Sequence, residues 1–400
     1  MIFDFETARK RFIDIAPQMA TETIQVDVAL GRVLAQTVAA SRQLPEFDTS
    51  AMDGYAIDSA TGIDMPWSLP IVGEAAAGSA PSLLQRGTAM RIFTGAALPA
   101  GANAVVMQER VTRDADQITC NVAVNAYSNV RRCGEDMRFG ADALKQGQRL
   151  FAPALSLLRF LGTEQVTTYR VPRVAILCTG SELRLPGQSL RPGAIYESNS
   201  LALRALIEQT EATVISTNIV ADDLDKTVKF IESLLEQADV LVTVGGASVG
   251  DHDHIVNALK RADVEVDLHN VAIKPGKPIL VGTKRDKVVI GLPGNPASAI
   301  VTFALFGMPL LRAMQVDEMP VAMAFQVETT SALRHDPKRT RAILGTLQVD
   351  RGRARFSPFL NQSSGSTVAL GQSTGLALLP VGDFETPIGA SVSCVPWSSF

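Results

Sequence analysis

Between Arg173 and about Gln315 the chain repeats one pattern: an apolar, β-branched run, a polar or glycine-rich turn, then a stretch of helical period. This alternation constrains the fold more than any other feature, because it predicts a parallel sheet with helices packed on its faces. The strand candidates are Val174–Cys178, Thr213–Val220, Val240–Val244, Val271–Ile273 and Val288–Leu292; helices fit Ser200–Gln209, Leu224–Gln237, Ile255–Arg261 and Ala297–Met314. In an open parallel sheet the carboxyl ends of the strands share one edge, and ligands bind in the crevice there. Each candidate strand is followed by a polar motif: Thr179-Gly180-Ser181-Glu182, Asp222-Asp223, Gly245 to Asp253, Lys274-Pro275-Gly276-Lys277-Pro278, and Pro293-Gly294-Asn295-Pro296. Five polar motifs are expected to converge on one site.

Taken singly, each motif is an ordinary turn, and Asp222-Asp223 stand where a helix N-cap would be. Taken together they are chemically complementary. The amides of Gly180, Gly245, Gly246, Gly250 and Gly294 and the hydroxyl of Ser248 suit an anion, and Lys274 and Lys277, flanked by Pro275 and Pro278, supply positive charge. Glu182, Asp222, Asp223, Asp251 and Asp253 are oxygen ligands of the kind Mg²⁺ takes, usually one or two carboxylates together with substrate phosphate oxygens. Gly245 and Gly250 have the spacing of a nucleotide phosphate loop, but Asp251-His252 occupy the places of its Lys and Ser/Thr, which disfavours a nucleoside triphosphatase. Gly246 to Gly250 also match G-x-S-x-G, the nucleophile elbow of serine hydrolases. That rival needs a downstream acid and histidine; of His252, His254, His269 and His335, the first two are too near Ser248 in sequence.

The rest of the chain is organised around this segment. Its 400 residues predict two to four domains. Phe5, Ala8, Phe12 and Ile15 share one face of an N-terminal helix. From about Leu44 to Arg132 short β-like runs (Leu69–Val72, Met90–Phe93, Ala104–Gln108, Gln117–Val124) are punctuated by glycine and proline. Beyond Met319 strand-like runs return with no chemistry-bearing motif among them. The expected fold is multidomain α/β plus β: a discontinuous N-terminal domain (1–43 and 133–170), an inserted β domain (44–132), a doubly wound, parallel or mixed α/β domain (171–317) and a C-terminal, barrel-like β domain (318–400).

Composition excludes several classes. With 46% hydrophobic and 20% charged residues the chain is neither a disordered polyelectrolyte nor a membrane bundle. Its 37 basic against 41 acidic residues give no global attraction for nucleic acid, so any bound anion must be held locally. Cys120, Cys133, Cys178 and Cys394 are too scattered for a zinc ribbon or redox pair, and with a charged N-terminus their scarcity points to the cytoplasm. The apolar stretch around Ile300–Leu311 is interrupted by Thr302, Gly307 and Pro309 and falls short of the roughly 20 residues that span a bilayer, so it reads as a buried helix.

Over most of its length the chain resembles the molybdopterin molybdenumtransferases of the MoeA/gephyrin family. The matching segments are DTSAMDGYA (48–56), TGAALPAGANAVVMQE (94–109), NVRRCGED (129–136), PRVAILCTGSEL (172–183), IYESNS (195–200), GGASVGDHD (245–253), KPGKP (274–278) and GLPGNPASA (291–299). The resemblance implies a molybdopterin-binding central domain and a reaction in which molybdate is inserted into the dithiolene of adenylylated molybdopterin, with Mg²⁺-dependent release of AMP. It implies that Glu182, Asp222, Asp253, Lys274, Lys277 and Ser248 line the central pocket, with Glu182, Asp222 and Asp253 as the Mg²⁺ ligands, beside Gly180, Ser181, Gly245, Gly246, Gly250, Pro293, Gly294 and Asn295. It further implies a homodimer in which Asp53 and Thr94 enter from the partner chain. Molybdopterin-adenylyltransferase and molybdoenzyme maturation factors are candidate partners.

The sequence departs from the family pattern at several positions. Ser181 stands where aspartate is usual, Glu197 replaces the aspartate of a YDSN segment, and Ala247 replaces a common valine. An F-x-R-G segment, whose arginine faces the cleft in the family, corresponds here to Ala342-Ile343-Leu344-Gly345, with Arg339 and Arg341 as substitutes nearby. Two function classes follow: an active insertase, favoured by Glu182, Asp222, Asp253 and Lys274, and a non-catalytic molybdopterin-binding scaffold, favoured by Leu344.

Overall fold

The computed structural model describes residues 2–61, 65–80, 82–246, 254–350 and 352–400. Two compact units emerge, one of Met1–Gln36, Gly147–Phe151 and Thr167–Phe400, the other of Thr37–Gln146 and Ala152–Val166.

In the larger unit an N-terminal helix, α1 (Phe5–Asp14), precedes a six-stranded sheet. The sheet's strands are β1 (Arg173–Thr179), β2 (Thr213–Val220), β3 (Val240–Val244), β4 (Glu265–His269), β5 (Leu280–Lys284) and β6 (Lys287–Leu292), in the spatial order β2-β1-β3-β6-β5-β4. The first four in that order are mutually parallel, whereas β5 and β4 add on antiparallel. Near-continuous apolar runs are what a sheet covered on both faces requires. Along β1 the side chains divide accordingly: Val174, Ile176 and Cys178 enter one core, Ala175 and Leu177 the other.

The helices complete the two layers. α2 (Asn199–Glu208), α5 (Pro296–Met314) and α1 pack on the first face; α3 (Leu224–Gln237) and α4 (His254–Arg261) pack on the second. α3 buries Val228, Ile231, Leu234 and Leu235, spaced three and four apart, and its start is fixed by Asp223, whose carboxylate accepts the Lys226 N–H at 3.0 Å. That bond, with the Lys226 charge beyond it, holds the Asp223 carboxyl below its usual range. α5 is apolar on all sides and 89% buried, as expected of a core helix. Contrary to the sequence expectation it is long and apolar enough to span a membrane, but Phe5 and Phe12 of α1 each lie 5.3 Å from the Phe306 ring and cover it. A π-turn at Phe303–Gly307, in which the Met308 N–H donates to the Phe303 carbonyl, precedes Pro309, which cannot donate a backbone hydrogen bond.

One expected strand of the central sheet lies elsewhere. Val271–Ile273 is not a strand of the central sheet: Ile273–Lys274 pairs in parallel with Thr340–Asp350, matching Ile273 to Thr340 and Lys274 to Arg341, while Val271 bridges Phe3. The antiparallel edge, β4 and β5, makes the sheet mixed, one of the two arrangements expected, although the sequence pattern does not mark these two strands. β4 is a short alternation of polar and apolar residues, and Gly282 interrupts β5 because a Cβ there would lie 2.6 Å from the Glu265 carbonyl oxygen.

The C-terminal part closes a five-stranded barrel from Thr340–Asp350, Arg353–Pro358, Phe325–Thr329, Ser391–Pro396 and Gly375–Leu379, with the first and last strands paired. All five overlap the strand-like runs read from the sequence there, Ala324–Thr329, Ala342–Val349, Ala354–Phe359, Gly375–Pro380 and Ser391–Pro396. A short helix, Thr367–Gln372, interrupts them.

The smaller unit holds a six-stranded sheet in the order Ala104–Met107, Gly54–Ile57, Ala89–Ile92, Trp67–Ala75, Gln117–Cys120, Val111–Asp114. Tyr55, Ile57, Trp67, Leu69 and Ile118 form a core on one side, and Ala56, Met90, Ile92 and Val105 on the other. Gly54 is required by close packing, since a Cβ there would fall 1.9 Å from the Val106 carbonyl oxygen.

Candidate functional site

At the carboxyl edge of the central sheet, the loops after β1, β2, β3 and β6 surround a hollow of about 440 Å³. Gly180, Glu182, Asp222, Gly245, Gly246, Pro293, Gly294 and Asn295 all line it, as the convergence argument requires. The backbone can come this close only because glycine permits it. Gly245 has φ +97°, and a Cβ there would sit 2.6 Å from the Thr179 carbonyl oxygen. The β1 and β2 loops are clamped together by two reciprocal bonds: the Ser181 N–H donates to Asp222 Oδ2 at 2.9 Å, and the Asp222 N–H donates to Ser181 Oγ at 3.1 Å. Serine at 181 thus ties two loops together, a role that the family comparison of residue types does not reveal.

The Asp222-Asp223 pair divides its roles. Asp223 caps α3, the bland alternative for such a pair, while Asp222 faces the hollow. Among the described residues no three His, Cys, Asp or Glu side chains gather into a metal-ligand set. Glu182 and Asp222 do share the hollow, and two carboxylates beside a phosphate-bearing ligand are a donor set that fits Mg²⁺. Ser248, Gly250 and Asp253, the other residues expected here, lie outside the described residues, as do Ala247, Asp251 and His252.

Lys274 and Lys277 do not line this hollow. They enter an adjoining one of about 510 Å³, which shares Pro278, Pro293 and Asn295 with the first. Its remaining polar groups are Ser298, Arg339, Gln362, Ser363 and Ser364. The Asn295 amide donates to Ser364 Oγ at 3.0 Å, and Ala297 N–H donates to the Ser364 carbonyl at 3.0 Å, so the start of α5 is tied to the Ser363-Ser364 loop. Arg339 is present, paired with Asp336 at 2.9 Å. Arg341 is not among the lining residues, and its guanidinium donates to the Arg334 carbonyl. Leu344 is 3% exposed and faces the core, with its N–H and carbonyl both bonded to the Gln362 amide at 3.0 and 2.9 Å. Position 344 is therefore a packing position in this chain.

The sequence reading missed three groups of lining residues. Glu197, 8% exposed, accepts the N–H groups of Asn199 and Ser200 at 2.7 and 2.9 Å and so caps α2, and the Asn199 amide reaches the Gly294 carbonyl at 2.9 Å. The replacement of aspartate by Glu197 keeps a cap in place. The Cys178 thiol lies 3.6 Å from Glu197, and burial followed by that carboxylate pushes its pKa far up, so it stays a neutral packing group. Ser298 lies in the first turn of α5 and within the 291–299 segment but was not singled out, and the Ser363-Ser364 pair carried no sequence signal beyond being serines in a turn.

Asp53 and Thr94 belong to the smaller unit. Asp53 Oδ1 accepts both the Thr94 N–H, at 2.8 Å, and the Thr94 hydroxyl, at 2.9 Å, which lowers the Asp53 pKa and keeps the carboxylate ionised. Of the histidines open to the hydrolase rival, His269 ends β4 in the antiparallel part of the sheet, and His335 is buried beside the two-stranded ladder of Leu333–Arg334 and Glu385–Thr386, bonded to the Pro380 carbonyl and Thr386 and stacked on Phe384.

Fold and site together define a multidomain α/β-plus-β protein that can hold a phosphate-bearing ligand at its sheet edge and an oxyanion beside it. Residues 3–162 match the MoeA N-terminal region (domain I and II), and residues 175–313 match a probable molybdopterin binding domain. The molybdopterin molybdenumtransferase of Nostoc sp. is 35% identical over 387 residues, covering 94% of this chain and 88% of that protein. The molybdopterin molybdenumtransferase of Haemophilus influenzae is 36% identical over 317 residues, covering 78% and 77%. Among solved structures, the molybdopterin biosynthesis moeA protein of Pyrococcus horikoshii superposes with a TM-score of 0.87 at 27% identity over 99% of this chain and all of that one. The chain belongs to the molybdopterin molybdenumtransferase family, and it is a transferase of molybdenum cofactor biosynthesis.

Proposed function

We propose that the two adjoining hollows divide the substrates of a molybdenum insertion reaction. The observation that carries this reading is their opposite electrical character across shared walls. The first offers glycine amides and the carboxylates Glu182 and Asp222; the second offers Lys274, Lys277 and Arg339 with the hydroxyls of Ser298, Ser363 and Ser364. A tetrahedral dianion such as molybdate is repelled by the first and held by the second, where cations and hydroxyl donors surround it. Adenylylated molybdopterin suits the first, with its phosphates on the glycine amides and its charge balanced through Mg²⁺ on Glu182 and Asp222. When bound, Mg²⁺ supplies charge neutralisation at the phosphate that leaves as AMP. Residues Asn295 and Pro293 border both hollows, so the two substrates meet there.

Asp53 and Thr94 complete the site in this reading, contributed by the partner chain of a cytoplasmic homodimer. The resemblance of DTSAMDGYA and of the 94–109 stretch to the family supports their involvement, and their mutual hydrogen bonds give them a fixed geometry. The Ser248, Gly250 and Asp253 assignments are supported by the donor chemistry of their loop and by the same resemblance. The division into 1–43 with 133–170, 44–132, 171–317 and 318–400 is supported by the change from short β runs to α/β alternation and back along the sequence.

The test is reconstitution. Purified protein incubated with adenylylated molybdopterin, molybdate and Mg²⁺ should release AMP and yield a cofactor that activates an apo-molybdoenzyme, and chelation of the Mg²⁺ should stop both. Molybdopterin binding with neither AMP release nor active cofactor would establish the scaffold alternative instead.

A further inference from the structure

Away from the sheet edge, a cavity of about 480 Å³ lies between residues 147–151, the end of α5, residues 317–323 and Ser398-Ser399, all in the larger unit. Its walls are mainly apolar, from Phe151, Met319, Val321, Ala322 and Met323. Two arginines enter it. Arg149 is fully engaged: Nε and Nη2 donate to Asp317 Oδ2 at 3.0 and 2.9 Å, and Nη1 donates to the Gly31 carbonyl. The other oxygen of Asp317 accepts the Met319 N–H at 3.0 Å. Arg312, in the last turn of α5, is left without a hydrogen bond or close ion pair among the described residues. Burial and then the Arg149 charge lower its pKa, and Asp317 offsets them only in part. Glu318 also lines the cavity, but it is exposed at the rim, where solvent screens it.

We propose that this cavity binds a small molecule carrying one carboxylate on an apolar body, an aryl or alkyl monocarboxylate, with the carboxylate on Arg312. Arg312 is a half-buried guanidinium whose neighbouring carboxylate, Asp317, is already held by Arg149, and a ligand carboxylate offers it two parallel charge-assisted bonds. The volume falls in the range of small-ligand sites, which are mostly apolar with a few placed polar groups. The paired methionines can shape themselves to an apolar body. A fully polar dianion fits poorly, because it would leave these walls unused and confront Asp317 and Glu318.

The experiment uses the full chain and 4-phenylbutyrate as probe, read by calorimetry and by ligand-observed NMR. The acid should bind saturably, and its uncharged isostere 4-phenylbutanamide should bind about 10- to 100-fold more weakly, the usual effect of losing a charge-assisted contact. Arg312→Met should weaken the acid by a similar factor and leave the amide unchanged, whereas Arg312→Lys should retain part of the preference. The comparison of acid with amide on the unaltered protein does not depend on any variant folding. Equal affinity for acid and amide, equal affinity of the acid for the Arg312→Met protein, or no saturable binding of the acid in the millimolar range would each overturn the assignment.

Discussion

Gly245→Ala provides a severe test of the geometry at the sheet edge. At φ +97° a residue with a Cβ pays roughly 1–2 kcal/mol of backbone strain. The new methyl would in addition lie 2.6 Å from the Thr179 carbonyl oxygen and 2.8 Å from Thr179 Oγ1, and relieving that overlap costs about 1–3 kcal/mol. Gly187 is the matched control, because its φ is +91° and a Cβ added there would meet nothing within 4 Å. Gly187→Ala should therefore show only the backbone part. For a domain of this size each kcal/mol moves Tm by about 2–4 °C, so Gly245→Ala should melt roughly 2–12 °C below Gly187→Ala in the same thermal scan. It should also lose molybdopterin affinity, since relief of the overlap displaces the amides that line the hollow. Equal Tm values for the two variants, with unchanged ligand affinity at Gly245→Ala, would refute the tight approach of the β1 and β3 loops.

Two further outcomes follow from particular contacts. Asp239, 6% exposed, is pushed up by burial, yet the Arg170 side chain, the Arg173 N–H and Lys287 outweigh that and leave its pKa lowered. A lowered folded-state pKa stabilises the protein above the unfolded value near 4 and is lost as pH falls through the folded one, so Asp239→Asn should cost about 1–3 kcal/mol at neutral pH, less than a fully buried pair because Arg170 is partly exposed, and the difference should shrink in acid unfolding curves. A pH-independent difference would contradict it. If Asp53 and Glu182 meet only across a homodimer, mixing inactive Asp53→Ala and Glu182→Ala chains should restore up to about a quarter of wild-type activity, since half of randomly paired dimers are mixed and each has one intact site of two. No recovery after verified chain exchange would place both residues in one subunit's site.

How much of this was legible in the sequence depends on whether local pattern or tertiary pairing decides the structure. α3 and the strands β2 and β3 fall on the residues that periodicity marks, because their apolar spacing matches one face or two faces of a buried layer. Lys274 and Lys277 were legible as paired cations but not as members of a second hollow. Their placement depends on Ile273–Lys274 leaving the central sheet to pair with the barrel strand, a contact between residues some 70 positions apart that no local pattern encodes. Ser363 and Ser364 were invisible for the same reason, since their role comes from the Asn295 and Ala297 contacts. Ser181 looked like a mild departure, and only the reciprocal bonds with Asp222 show what it does.

The division of substrates between the two hollows is tested most directly by the molybdate concentration dependence of turnover in Lys274→Ala compared with Glu182→Gln. Loss of one charge-assisted contact to the oxyanion should raise the KM for molybdate about 10- to 100-fold in Lys274→Ala while the KM for adenylylated molybdopterin stays near the wild-type value. Glu182→Gln should show the reverse pattern, with an altered Mg²⁺ requirement and an unchanged KM for molybdate. If Lys274→Ala left the molybdate dependence unchanged and shifted only that of adenylylated molybdopterin, the oxyanion would not be held where the account places it.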